Sequence, residues 1–206
     1  KVLLISTDKA AQPINLYGST KLCAEKLFIS GNSYSPDKSR FSAVRYGNVV
    51  GSRGSIIETL INNKSSKVKI TDLEMTRFWI TLEQSFALVI YALENMLGGE
   101  IFVPKIPSMK LVDLFDALAP KAEKEVIGVR PGEKLHEILL TKEEARHAAE
   151  LENYYVIIPD YSEIFGKDKF IKYFKAGKKI APDFMFSSDT NQAWLTKSDF
   201  LNLVKL

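Results

Sequence analysis

Apolar runs alternate along the chain with amphipathic stretches. Val2 to Thr7 is apolar on both faces until it ends in hydroxyls, as a buried parallel strand does at its carboxyl end. Pro13 suits a helix start, and Leu16, Thr20, Leu27 and Phe28 mark the apolar side of a helix that should end near Gly31. Ser30 to Ser39 reads as a polar loop and Arg40 to Val50 as a second strand. Gly51-Ser52-Arg53-Gly54-Ser55 then reads as a ligand-side loop, and Ile56 to Asn63 as a short helix.

Val68 to Thr71 and Thr76 to Thr81 read as extended pieces around a charged turn at Asp72-Leu73-Glu74. Thr81 and Gln84 have the spacing of a capping box, and Phe86, Val89, Ile90, Leu93 and Leu97 keep helical period until Gly98-Gly99. Glu100 to Val103 predicts a strand, Leu111 to Leu118 a helix, and Glu125 to Val129 another strand. Beyond Arg130 the pattern loosens, with a strand at Tyr154 to Ile158 and a terminal helix opened by Thr196 and Asp199. The repeated β/α alternation predicts an α/β sheet.

At 206 residues the chain has room for one α/β domain, or one domain and a small lobe. Its net charge of +3 comes from interspersed charges of both signs, which excludes a nucleic-acid stripe as a reading. No apolar run reaches the length of a membrane span, since Glu94 and Asn95 interrupt the richest one, Phe86 to Leu97. The single cysteine, Cys23, has no internal disulfide partner and is expected to pack. It fits a reducing compartment, so a cytoplasmic location is expected. The chain begins without methionine, directly in an apolar strand, and more sheet is expected before Lys1.

Tyr17 and Lys21 lie four apart and so share one helix face. A free tyrosine titrates near ~10, and a neighbouring ammonium favours its phenolate, which suits Tyr17 to take a hydroxyl proton. The strand before it ends in Thr7-Asp8-Lys9, where ligands of open α/β sheets bind. His136 and His147 lack partners at metal-ligand spacing, so no metal site is expected.

Five motifs occur in order: Ser6-Thr7-Asp8-Lys9, Tyr17-x-x-x-Lys21, Arg45 to Ser55, Met75 to Ile80, and Arg130 to Glu137. Together they resemble the extended short-chain dehydrogenase/reductase family, and most closely its inverting UDP-N-acetylglucosamine 4,6-dehydratase branch. The resemblance implies the carboxyl-terminal part of a Rossmann-like doubly wound parallel sheet with a smaller substrate-binding lobe. Residues 1–105 would hold the partial catalytic core with interleaved substrate-binding segments, and 106–206 mainly the lobe and a terminal extension. The family's Gly-x-x-Gly-x-x-Gly loop, which cradles the pyrophosphate of a tightly held NADP, does not occur in this sequence. The chain by itself is therefore expected to bind the dinucleotide poorly and to be inactive alone.

The resemblance further implies a lyase acting on UDP-N-acetylglucosamine to give a 4-keto-6-deoxy-arabino sugar, and a homo-oligomer. Thr7 would bond the C4 oxygen, Tyr17 would take the C4 proton, and Lys21 would also bond the cofactor ribose. Asp8 would be the acid for the departing C6 hydroxyl. Lys9 would act at C5, either as base or as electrostatic stabiliser of the enolate. Arg53, Arg77 and Arg130 are the implied diphosphate ligands, Asn48 a substrate contact, and Glu133 an acceptor for a ribose hydroxyl. A 4-epimerase would share Tyr17 and Lys21 without needing Asp8-Lys9, while retaining dehydratases typically carry methionine where Tyr17 stands. A fragment that at most binds a nucleotide sugar is the non-enzymatic alternative.

Overall fold

The computed structural model of the chain describes residues 1–34, 38–62, 67–160 and 167–204. Asn63 of the expected short helix and residues 35–37 of the expected polar loop lie outside them. The described residues form two compact units: 1–46, 86–105 and 138–186 make the first, and 47–85, 106–137 and 187–206 the second. This differs from the expected division at 105, because residues 138–186 return to add strands to the first unit's sheet.

The chain opens in the first unit with β1 (Val2–Thr7), α1 (Leu16–Gly31) and β2 (Phe41–Tyr46), then builds β3 (Asn48–Val49), α2 (Ile56–Asn62), β4 (Lys67–Ile70) and β5 (Thr76–Ile80) in the second. It returns through α3 (Leu82–Asn95) to β6 (Ile101–Pro104) and leaves again for β7 (Ser108–Lys110), α4 (Leu111–Leu118) and β8 (Glu123–Val126). The remainder comprises β9 (Ile138–Leu140), α5 (Lys142–Ala145), β10 (Ala148–Glu150), β11 (Tyr154–Ile157), α6 (Ile171–Ala176), β12 (Lys178–Lys179), β13 (Phe186–Ser187) and α7 (Lys197–Val204).

The first unit's sheet has the order β1-β2-β6-β11-β10-β12. The β1, β2 and β6 strands are parallel, as expected, whereas β11, β10 and β12 extend the sheet antiparallel. Alternation along β2 sends successive side chains to opposite faces. Val44 packs with Leu88 and Ala92 of α3 and with Met96 just after it, joined by Phe102, Val156, Phe170 and Tyr173. Arg45, the next residue, reaches Glu25 of α1 on the other face. Helices on both faces of a parallel sheet are the doubly wound arrangement.

The packed face of α1 is the expected one only in part: Phe28 meets Phe41 of β2 edge to face, with ring centroids 5.9 Å apart. Leu16 and Leu27 are exposed, and the buried positions are Gly18 and Glu25. The reason is that α1 is also held by a glycine against the Lys9 carbonyl and by an ion pair from Glu25 to Arg45 of β2, which an apolar pattern does not count. Cys23, expected to pack, is exposed.

The run from Arg40 to Val50 is divided at Gly47, where β2 ends and β3 leaves to pair with β5. A Cβ at Gly47 would lie 2.5 Å from the Phe78 Cβ and 2.8 Å from its carbonyl oxygen, so the close passage beside β5 needs glycine. In the second unit β5 is flanked by β3 and β7. Its core joins Ile57, Ile70, Met75, Trp79, Met109, Leu114 and Phe200, with the Trp79 and Phe200 rings edge to face at 5.2 Å. The β8 strand sits earlier than expected because it pairs with only four residues of β4, from Lys67↔Glu123 to Ile70↔Val126. Both halves of the expected capping box before α3 form: Gln84 N–H donates to Thr81 Oγ1 at 3.1 Å and Thr81 N–H to Gln84 Oε1 at 3.0 Å. The helix stops at Asn95, short of Leu97, because the Leu97 and Gly98 N–H groups donate instead to the Glu100 carboxylate, at 2.7 and 2.8 Å.

Candidate active site

In the first unit the carboxyl end of β1 turns into a short 3-10 segment, Asp8–Ala10, opened by Thr7. Asp8 is fully buried, and its Oδ1 accepts from Thr7 Oγ1 at 2.8 Å and from Lys9 Nζ at 3.0 Å. Its Oδ2 is buried without a hydrogen-bond partner among the described residues. A buried carboxylate oxygen left unpaired is costly, so this one is suited to a group that arrives from outside. The Lys9 side chain is 34% exposed, so the pair has one solvated member.

The α1 helix brings Tyr17 and Lys21 to the same strand. Asn15 caps it, its Oδ1 accepting from Gly18 N–H at 2.8 Å. Gly18 has no side chain to hold the helix off: a Cβ there would overlap the Lys9 carbonyl oxygen. One turn on, Lys21 Nζ donates to the Ile5 carbonyl of β1 at 3.3 Å. Tyr17 is half exposed. The structure thus carries Thr7, Asp8, Lys9, Tyr17 and Lys21 in one unit, with Lys21 bonded to β1 and Gly18, the neighbour of Tyr17, packed on Lys9.

The substrate-side candidates lie in the second unit. Asn48 is half-buried on β3. Arg53 is exposed between Gly51 and Gly54, whose φ angles of 77° and 70° favour glycine. Arg130 is also exposed. Arg77 is placed differently: it is buried, and its Nη1 donates to the carbonyls of Thr76 at 2.7 Å and Leu135 at 3.1 Å. Glu133 stands 3.6 Å and Glu137 3.9 Å from the same guanidinium. Arg77 therefore anchors the segment that carries Glu133, whose Oε2 is buried without a hydrogen-bond partner among the described residues.

His136 Nδ1 lies 2.8 Å from Thr76 Oγ1, and His147 Nδ1 3.1 Å from Asp160. Burial, set against the nearby Asp160 carboxylate, lowers the His147 pKa. Among the described residues no group of three or more His, Cys, Asp or Glu side chains could hold a metal ion.

Sequence reasoning missed a charged cluster behind the site, formed by Ser6, Glu25, Arg45 and Glu144. The signal available was an arginine inside an otherwise apolar strand and a glutamate one helical turn beyond Lys21.

The doubly wound sheet, with a Tyr-x-x-x-Lys helix against the end of its edge strand, defines a Rossmann-like protein of the short-chain dehydrogenase/reductase type. The chain belongs to the polysaccharide biosynthesis protein family, whose model matches residues 1–159. It is 45% identical over 210 residues to a UDP-N-acetylglucosamine 4,6-dehydratase (inverting) of Campylobacter jejuni, matching 99% of this chain and 63% of that protein. It is 43% identical over 190 residues to a UDP-glucose 4-epimerase of Rickettsia conorii, matching 87% of this chain and 53% of that protein. The chain thus spans less than two thirds of the length of these curated relatives. Among solved structures it is similar to Pen from Bacillus thuringiensis, with a TM-score of 0.83 and 34% identity over 98% of this chain and 61% of that one. A UDP-glucuronic acid 4-epimerase from Bacillus cereus shares the fold, with a TM-score of 0.57 and 18% identity over 98% of this chain and 61% of that one. Among the described residues no helix is long and apolar enough to cross a membrane.

Proposed function

We propose that the protein carrying this chain removes water from UDP-N-acetylglucosamine across C5 and C6, with inversion at C5. The observation that carries this reading is the buried, half-satisfied Asp8 carboxylate beside Lys9, just past the strand against which the Tyr17 helix packs. A 4-epimerase needs Tyr17 and Lys21 alone, and the relatives' names span both activities. The Asp8-Lys9 pair favours dehydration.

Tyr17 takes the C4 hydroxyl proton, with Thr7 bonding the oxygen left behind. NADP, the nicotinamide cofactor proposed, supplies reversible hydride exchange with the sugar when bound. Tyr17 and Lys21 suit its nicotinamide-ribose side, while this sequence holds no glycine-rich loop for its pyrophosphate. A ketone at C4 makes the C5 proton acidic. The Asp8-Lys9 pair holds one proton between its members: when Asp8 carries it, the neutral Lys9 amine takes the C5 proton, and stabilising the enolate as the resulting ammonium is its alternative role. Asp8 protonates the C6 hydroxyl as it leaves. Arg53 and Arg130 take the diphosphate, Arg77 holds the Glu133 segment, and Asn48 and Glu133 contact the sugar nucleotide. The chain by itself is expected to leave substrate unchanged, and the whole protein to work as a cytoplasmic homo-oligomer.

Mass spectrometry of the whole protein's products tests the reading. Dehydration removes one water from the nucleotide sugar. A product of unchanged mass and altered C4 configuration would establish the epimerase instead.

A further inference from the structure

Arg45 is 1% exposed, and all five of its N–H groups are engaged. Nε and Nη2 donate to the two oxygens of Glu25 at 3.0 and 2.6 Å. Nη1 and Nη2 donate to the two oxygens of Glu144 at 2.9 and 2.8 Å. The remaining N–H reaches the Leu139 carbonyl at 3.0 Å. The guanidinium is thus a double fork between two carboxylates, one on α1 and one on α5.

The Glu25 carboxylate has a third partner. Ser6 Oγ donates to its Oε1 at 2.6 Å, and Ser6 is also the residue of β1 paired with Arg45 in the β1–β2 register. Ser6 immediately precedes Thr7, Asp8 and Lys9. Glu25 lies about one turn of α1 beyond Lys21 and two beyond Tyr17. Glu25 therefore ties β1, two residues before Asp8, to the helix that carries Tyr17, and one buried guanidinium fixes that carboxylate.

Burying one cation with two carboxylates is a poor way to gain stability, because desolvation offsets much of the attraction. Apolar side chains of the same volume often do as well or better. Two forks do impose geometry: each holds a carboxylate at fixed distance and orientation to the guanidinium plane. We propose that Arg45, acting through Glu25 and Ser6, is a positioning residue that holds the Tyr17–Lys21 helix in place against the Thr7–Asp8–Lys9 end of β1. The proposal rests on the reading of those five residues as the reaction centre.

The test is Arg45→Lys in the whole protein, which keeps the charge and loses both forks. Steady-state kinetics, thermal melting and the NMR resonance of isotope-labelled Tyr17 Cζ are measured together. Misplaced catalytic groups lose on the order of tens of fold in kcat. That loss is expected with KM for UDP-N-acetylglucosamine within about twofold, melting within a few degrees of wild type, and a displaced Tyr17 resonance. A Tyr17 resonance that stays in place, or a kcat loss matched by the loss of folded protein, overturns the proposal. Should Arg45→Lys fail to fold, Ser6→Ala removes a single bond of the cluster and is expected to move kcat and the resonance in the same directions, by less. No movement in that variant also overturns the proposal. A wild-type protein that releases no dehydrated sugar, with a resonance that still moves in the variant, sinks the dehydratase reading and leaves the positioning role standing.

Discussion

Asp8→Asn separates the chemistry of the site from its architecture. The side chain is fully buried, and its Oδ1 accepts from Thr7 Oγ1 and Lys9 Nζ. The asparagine carbonyl can keep both bonds, and its amide nitrogen replaces Oδ2, the oxygen without a partner. What is lost structurally is the charge opposite Lys9, whose side chain is 34% exposed, so after solvent screening the cost is about 1 kcal/mol. For a domain of about 150–250 residues that is a change in Tm of roughly 2–4 °C. What is lost chemically is the proton for the C6 hydroxyl, and a general acid typically contributes on the order of 10²–10⁴ in rate. This equals about 3–5 kcal/mol in the barrier. The assay is turnover of UDP-N-acetylglucosamine by NMR, with single-turnover samples quenched to look for a 4-keto sugar that retains its C6 hydroxyl. The expected result is a large fall in kcat, build-up of that ketone and a nearly unchanged Tm. A kcat within threefold of wild type would refute the assignment of Asp8 as the acid.

Acid stability depends in part on Glu144. Burial alone would raise its pKa, but the Arg45 charge and hydrogen bonds outweigh it and hold the carboxyl below its ordinary value. Its contribution is therefore fully present above the unfolded value of about 4.3 and lost as pH falls through the folded one. Urea midpoints should fall on acidification, with a shallower slope in Glu144→Gln; equal slopes would show that the pair does not contribute. Glu100→Ala should cost on the order of 3–5 kcal/mol in urea unfolding, because it strands the Leu97 and Gly98 N–H groups and the Ser42 hydroxyl and leaves the Tyr173 hydroxyl only the Asn95 carbonyl. Tyr173→Phe, which keeps the carboxylate and removes one donor, should cost roughly 1–2 kcal/mol in the same assay. Gly18→Ala should destabilise by roughly 1–3 kcal/mol and depress kcat further than its Tm shift explains, since its Cβ would overlap the Lys9 carbonyl. Wild-type kcat in that variant would show that the close approach is not needed.

The local elements were legible where one physical signal dominated. The capping box of Thr81 and Gln84, the strand from Val2 to Thr7 and the helix from Leu111 to Leu118 all formed where periodicity and capping predicted them. Periodicity was right on α1 only for Phe28, which meets Phe41 of β2; the fully buried positions are Gly18 and Glu25, a glycine and a charge that an apolar pattern does not count. It also ran through Gly47, because the requirement for glycine there comes from Phe78, thirty-one residues away in sequence. The interleaving of the two units is non-local in the same sense: nothing in residues 148–157 announces that they extend a sheet begun by β1. At the candidate site, the residues adjacent in sequence were readable as a group. The Arg45 cluster was not, since its members come from four elements and its bonded partners lie up to 99 residues apart.

The account turns on dehydration with inversion at C5, and the most direct measurement is the whole protein acting on UDP-N-acetylglucosamine in heavy water, with the product followed by NMR as it forms. The account predicts a 4-keto-6-deoxy sugar carrying one solvent deuteron at C5 in the arabino configuration. A product with the original C5 configuration would make the enzyme a retaining dehydratase, and one that keeps its C6 hydroxyl, with no deuterium at C5, would contradict the role given to Asp8 and Lys9.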